Sequence, residues 1–165
     1  MRTSSEAGSV FVVAREQEPL MFPGSTGYFG GLEYRSNIGG TRLILGRGDG
    51  GGNNTFFEDF GDFPVLPFDM RTEDAVLQLD VIGNELKLWG WKAGDPMPDQ
   101  PQLTATDSTY SGGTMRIASE TINNNISTFR YVHVADSHIP EPSALTLTAL
   151  GLLGLIAYGR RRRTT

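Results

Sequence analysis

Cysteine is absent from the 165 residues. That excludes a disulfide framework and any thiolate metal site, so stability has to come from packing alone. Histidine is scarce: His133 and His138 are the only two. They form neither a Ser/His/Asp order nor a His-x-x-x-His pair, the usual marks of nucleophilic or zinc-dependent catalysis. No stretch of ten or more residues with helical periodicity separates the strand-like segments, which argues against a parallel sheet with helical crossovers. Basic charge is also scarce before residue 160. Arg160, Arg161, Arg162 and Arg163 hold four of the 14 basic residues, leaving 10 against 19 acidic ones, a net of −9 for the rest of the chain. Such a body offers no basic face to a phosphate backbone, and nucleic acid is excluded as a partner. A basic and apolar export signal is missing too. The opening "MRTSSEAGSVFVVAREQEP" has only residues 10–14 as an apolar run, which is too short for a signal core and reads as a strand.

What is present is a succession of short apolar bursts punctuated by 21 glycines and nine prolines. "SVFVVAR", "GYFGGLEYR", "TRLILGR", "AVLQLDVIG", "NELKLWGW", "GTMRIAS" and "TFRYVHVAD" read as seven strands. Leu77, Leu79 and Val81 fall on one face, and Leu86 and Leu88 share another, a period of two that suits half-buried antiparallel strands. Gly83-Asn84 between them is a hairpin turn. The expected architecture is all-β, an antiparallel β-sandwich over residues 1–136, with a linker at 137–143.

The tail differs in kind. Residues 144–158 carry no charge and only two threonines. As a helix this run would be about 22 Å long, short of the ~30 Å bilayer core. Extended to 144–159, with arginine stems reaching the interface, it approaches the ~17-residue lower limit for a span. A buried helix of a soluble domain is the competing reading. Leu145, Leu147, Leu150, Leu152, Leu153, Leu155 and Ile156 cover every side, whereas a docked helix keeps a polar stripe. One C-terminal transmembrane helix is therefore expected, in contact with membrane lipid. Residues 160–165 form a basic tail, its arginines held in the cytoplasm by the positive-inside rule.

Pro140-Glu141-Pro142, a single apolar span containing "LGLLGL" and the terminal Arg160–Arg163 cluster stand in this order at the end of the chain. The arrangement resembles the PEP-CTERM sorting signal of exported proteins from Gram-negative bacteria that make exopolysaccharide and form biofilms or flocs. The resemblance implies an exosortase as partner, a membrane-embedded cysteine protease cutting near the triplet. It makes Pro140, Glu141 and Pro142 the sorting motif, and Arg160, Arg161, Arg162 and Arg163 the stop-transfer charges. It places the chain in the inner membrane transiently, then at the cell surface or in the extracellular matrix. The triplet suits a protease cleft, because Ile139 and Glu141, each preceding a proline, are pushed toward extended backbone. The second half, "LQLDVIGNELKLWGWKAGDPMPDQPQLTATDSTYSGGTMRIAS...STFRYVHVAD", resembles a concanavalin-like or laminin-G-like jelly roll in its Gly-Asn turn, return strand and Asp-Ser-x-Tyr-x-x-Gly segment. Members of that class begin with further strands, so the resemblance implies a body truncated at its N-terminal end.

Candidate binding residues are few. Trp89 and Trp91 share one side of a strand, opposite Leu86 and Leu88, an arrangement that stacks a sugar ring when it faces outward. The competing reading packs both under the loop "AGDPMPDQPQ". Asp49, Glu58, Asp59 and Asp62 lie in a Gly-rich loop whose oxygens suit calcium in type but not in EF-hand spacing. No cofactor is otherwise implied. Arg47-Gly48-Asp49 spells an adhesion tripeptide that arises easily by chance. Paired carboxylates for glycoside hydrolysis would lie on facing strands within a cleft; Asp80 and Glu85 flank one hairpin, and strand parity does not clearly set them inward. The expectation is a noncatalytic, exported and sorted protein, with carbohydrate, such as exopolysaccharide, as ligand. The alternatives are a glycoside-acting hydrolase and a remnant that is not exported.

Overall fold

The computed structural model describes residues 7–17, 26–36, 39–59, 61–121 and 127–134. Among these the chain forms β1 (Ala7–Glu16), β2 (Thr26–Arg35), β3 (Gly40–Gly50), β4 (Asn53–Phe56), β5 (Val65–Leu66), β6 (Ala75–Ile82), β7 (Glu85–Lys92), β8 (Leu103–Thr106) and β9 (Thr114–Thr121). The strands make two antiparallel sheets. The larger runs β4-β3-β2-β1-β9 with β5 also on β3, and the smaller runs β6-β7-β8. This two-sheet arrangement is that of a β-sandwich. Met1–Val132 forms one compact unit, and the chain from His133 onward is a second.

Register explains the core. Val10, Leu32 and Leu43 lie opposite one another across β1, β2 and β3, and Leu79, Leu88 and Leu103 do so across β6, β7 and β8. Opposed residues share a face, and these two apolar rows belong to one buried cluster between the sheets. The central strands of the large sheet are buried on both faces. Phe11, Val13, Phe29 and Ile44, on the other face of the large sheet by register, are also buried. There Phe11 meets Phe29 edge-on at 5.9 Å, Phe29 meets Phe56 at 5.7 Å, and Phe56 meets Phe63 at 5.7 Å. Burying the Phe11, Phe29 and Phe63 rings contributes roughly 1.5–3 kcal/mol each, whereas Phe56 is 37% exposed. The same face buries a charged pair: Arg42 Nε donates to Glu33 Oε2 at 2.6 Å, and Arg35 Nε donates to Glu33 Oε1 at 2.8 Å.

One expectation needs correction. The stretch 128–136 was expected as a final strand, yet residues 129–134 belong to no strand. The residue pattern of a strand is present there without a ladder to join. The apolar run at 10–14 is, as expected, part of a strand, β1. The helix expected over 144–159, the linker triplet and the Arg160–Arg163 cluster lie outside the described residues. Among the described residues no helix is long and apolar enough to cross a membrane.

The sheets are tied together at one end by a kink in β1. The β1–β9 ladder shifts register between Val13 and Glu16, and Arg15 takes φ 53°, the only positive value outside glycine among the described residues. A bulge of this kind re-aims its side chain. The Arg15 guanidinium consequently reaches the β6–β7 turn and the segment after β8, donating to the carbonyls of Gly83 at 2.7 Å and Tyr110 at 2.8 Å. Gly113 makes room for the kink. At φ 140° its position would set a Cβ 2.5 Å from the Glu16 carbonyl oxygen and 2.6 Å from the Arg15 carbonyl carbon, so no other residue fits.

Candidate functional site

The segment that follows β8, "DSTYSGG", is the best-organised polar region of the described chain. Asp107 Oδ1 accepts from the Tyr28 hydroxyl at 2.8 Å and from the Thr109 amide at 2.8 Å, while Oδ2 accepts from Arg47 Nη1 at 2.5 Å. The Tyr110 amide donates to the Tyr28 oxygen at 3.0 Å, and the Tyr110 hydroxyl donates to the Gly48 carbonyl at 2.6 Å. The two tyrosine rings meet edge-on at 5.4 Å. Burial alone would push the Asp107 carboxyl up, but the hydrogen bonds from Thr109, Tyr28 and Arg47 outweigh it and hold the value at about 2. The group is therefore an ionised acceptor at neutral pH, with both oxygens engaged. It fastens the end of β8 to β2 and β3. The Asp-Ser-x-Tyr-x-x-Gly pattern thus has a physical meaning that spacing alone did not disclose: Asp and Tyr close a latch, and Gly113 clears the β1 bulge.

The expected site residues fall in different places. Arg47 and Asp49 turn toward each other at 2.7 Å, so the adhesion tripeptide is engaged within the fold. Asp49 also accepts from Thr55 at 2.6 Å. That bond, followed by the one from Arg47, outweighs burial and holds its carboxyl below the ordinary 3.8. Among the described residues no three His, Cys, Asp or Glu side chains gather to hold a metal ion. Asp49, Glu58, Asp59 and Asp62 are accordingly not brought into one cluster. Asp80 accepts from Gln78 at 3.1 Å, and Glu85 pairs with Lys87 at 2.9 Å. By register both carboxylates lie on the outer face of the small sheet.

Trp89 and Trp91 are on that same outer face, opposite Gln78 and Val76 of β6. They are not equivalent. Trp89 is 8% exposed and its indole Nε1 is buried without a hydrogen-bond partner, while Trp91 is half-buried. Strand parity assigned the correct side but carries no information on what covers it. Of the two, Trp91 is the more exposed.

Residues 129 and 130, beyond β9, are fastened to the sandwich. Phe129 packs against the core, and Arg130 pairs with Asp74, just ahead of β6, at 3.2 Å. Tyr131 is then 80% exposed, Val132 46% and Val134 61%. Pro140, Glu141, Pro142 and Arg160–Arg163 lie outside the described residues.

A family model for the PEP-CTERM protein-sorting motif matches residues 138–163. The match takes in the Pro-Glu-Pro triplet, the apolar run and the arginine cluster, and it begins four positions after Val134. The chain therefore carries a PEP-CTERM sorting motif. No curated protein and no solved structure matches the chain.

Proposed function

We propose that this chain is a noncatalytic, lectin-like β-sandwich protein displayed at the cell surface or in an extracellular polysaccharide matrix, and that its C-terminal segment is a substrate of an exosortase-type membrane protease. The observation that carries the reading is the sorting-motif match at residues 138–163. The three parts have separable roles. The apolar run 144–159 spans the membrane, and Arg160, Arg161, Arg162 and Arg163 keep the far end in the cytoplasm. Pro140, Glu141 and Pro142 present extended backbone just outside the bilayer. A plain anchor needs only apolarity and flanking charge, and it is indifferent to the triplet.

The test uses cells that possess an exosortase and the full chain carried behind a cleavable export signal. Wild type is expected to lose its C-terminus, whereas Glu141→Gln and Pro142→Ala should retain it through Thr165 and accumulate in the membrane fraction. Mass spectrometry of the C-terminus decides. An uncut wild-type chain would mean that the segment is only an anchor.

Within this reading Trp91 is the side chain that meets sugar. It is half-buried on the outer face of the small sheet, a position from which an aromatic side chain can stack on a sugar ring. Trp91→Ala is expected to weaken retention on exopolysaccharide roughly fivefold, equivalent to about 1 kcal/mol, with an unchanged urea midpoint. Trp89→Ala should instead lower the midpoint, because that ring is buried. Unaltered retention in Trp91→Ala would remove the sugar-binding assignment.

A further inference from the structure

We propose that residues 131–134 are a second contact surface for the sorting protease, upstream of the triplet, which the protease takes up as an added β-strand. The inference rests on the exosortase-substrate reading above. Thr128, Phe129, Tyr131, Val132 and Val134 are strand-forming residue types, yet residues 129–134 belong to neither sheet. Flexible spacers are built from Gly and Ser, and stiff ones from Pro. This stretch contains none of them. It exposes Tyr131, Val132 and Val134 within four positions, whereas the other large exposed apolar side chains of the described residues stand singly in the sequence.

The upstream end is fixed. Phe129 is partly buried against the core and Arg130 is paired with Asp74, so the stretch is held to the sandwich at its upstream end. Its downstream end is close to the sorting motif. Six residue steps separate Val134 from Pro140, at most about 20 Å of fully extended chain. A protease seated on the triplet therefore stands within reach of these side chains. In strand addition, main-chain hydrogen bonds supply affinity and alternate side chains supply specificity. Tyr131 and His133 would face one way, and Val132 and Val134 the other.

The experiment follows the rate at which the full exported chain loses its C-terminus in exosortase-containing cells. The triple variant Tyr131→Ser/Val132→Ser/Val134→Ser is expected to be processed at least tenfold more slowly than wild type. Its urea midpoint should be unchanged, since the altered side chains are exposed. The conservative pair Val132→Ile/Val134→Ile should keep the wild-type rate. Processing of the triple variant at the wild-type rate would overturn the proposal and leave the sorting assignment standing. An uncut wild-type chain would remove both. A wild-type dimer that becomes monomeric in the triple variant, with processing unaltered, would show that the stretch pairs with a second copy and would likewise overturn it.

Discussion

Replacing Asp107 with alanine is expected to destabilise the sandwich by about 3–5 kcal/mol, since a hydrogen bond to a charged group contributes about 1.5–3 kcal/mol and several are lost together. The side chain is 11% exposed and accepts from Tyr28, Thr109 and Arg47 together. Its loss strips a partner from a buried phenol and from a guanidinium at once. Domains of this size are stable by only about 5–15 kcal/mol, so the variant should unfold at a much lower urea concentration. Asp107→Asn keeps an acceptor oxygen and loses the charge facing Arg47, and about 1–2 kcal/mol is expected. Acid separates the two contributions. The folded value is about 2 against an ordinary 3.8, so the native state favours the ionised form. The stabilisation is complete above the unfolded value, near pH 4, and is lost as pH falls through the folded value, near pH 2. It amounts to about 2 kcal/mol. Urea unfolding of wild type and Asp107→Asn between pH 2 and pH 6 should show curves that converge at the acid end. Parallel curves would mean that Asp107 is not the titrating tie.

That latch illustrates what the sequence could and could not disclose. Period-two alternation placed β6 and β7 and their Gly83-Asn84 turn, because each strand has one face in a dry core and one outside it. It also found β1, β2, β3 and β9. β4, β5 and β8 escaped because strands of two to four residues, such as Val65–Leu66, are too short to show a period; they exist because a neighbour offers a ladder. The stretch 128–136 failed in the opposite way, having strand composition but no ladder over residues 129–134. Trp89 shows a third limit, since parity decides the side of a strand and says nothing of how deeply a residue on that side is buried. The Asp107 network joins residues up to 82 positions apart, beyond the reach of any local pattern. The sorting motif was legible because its three parts are contiguous and each is defined by composition.

Glu33→Leu is expected to be as severe as Asp107→Ala, for a different reason. Glu33 lies directly opposite Arg42 in the β2–β3 ladder, and the two side chains are 6% and 2% exposed. Removing the carboxylate leaves the Arg42 guanidinium buried beside the Phe63 ring, 5.2 Å from its centre. Cation–π attraction of about 2 kcal/mol at best cannot offset the desolvation of that charge, and a loss of about 3–5 kcal/mol follows. Arg42→Met alone should cost less, because Glu33 keeps Arg35, which is 41% exposed and holds the carboxylate at 2.7 Å. The double variant Glu33→Leu/Arg42→Met removes both charges from a face already lined by Phe29, Ile44 and Phe63. It should recover to within about 1 kcal/mol of wild type, since replacing a buried pair by apolar residues of similar volume is often neutral. A double-mutant cycle read by urea unfolding then gives a coupling of at least about 2 kcal/mol. A double variant no more stable than Glu33→Leu would show that the pair's hydrogen bonds, rather than mutual charge neutralisation, hold β2 to β3. The contrast matters for the sorted protein, because the sheet carrying this pair also carries β9, the strand from which the chain runs on to its exposed stretch and sorting motif.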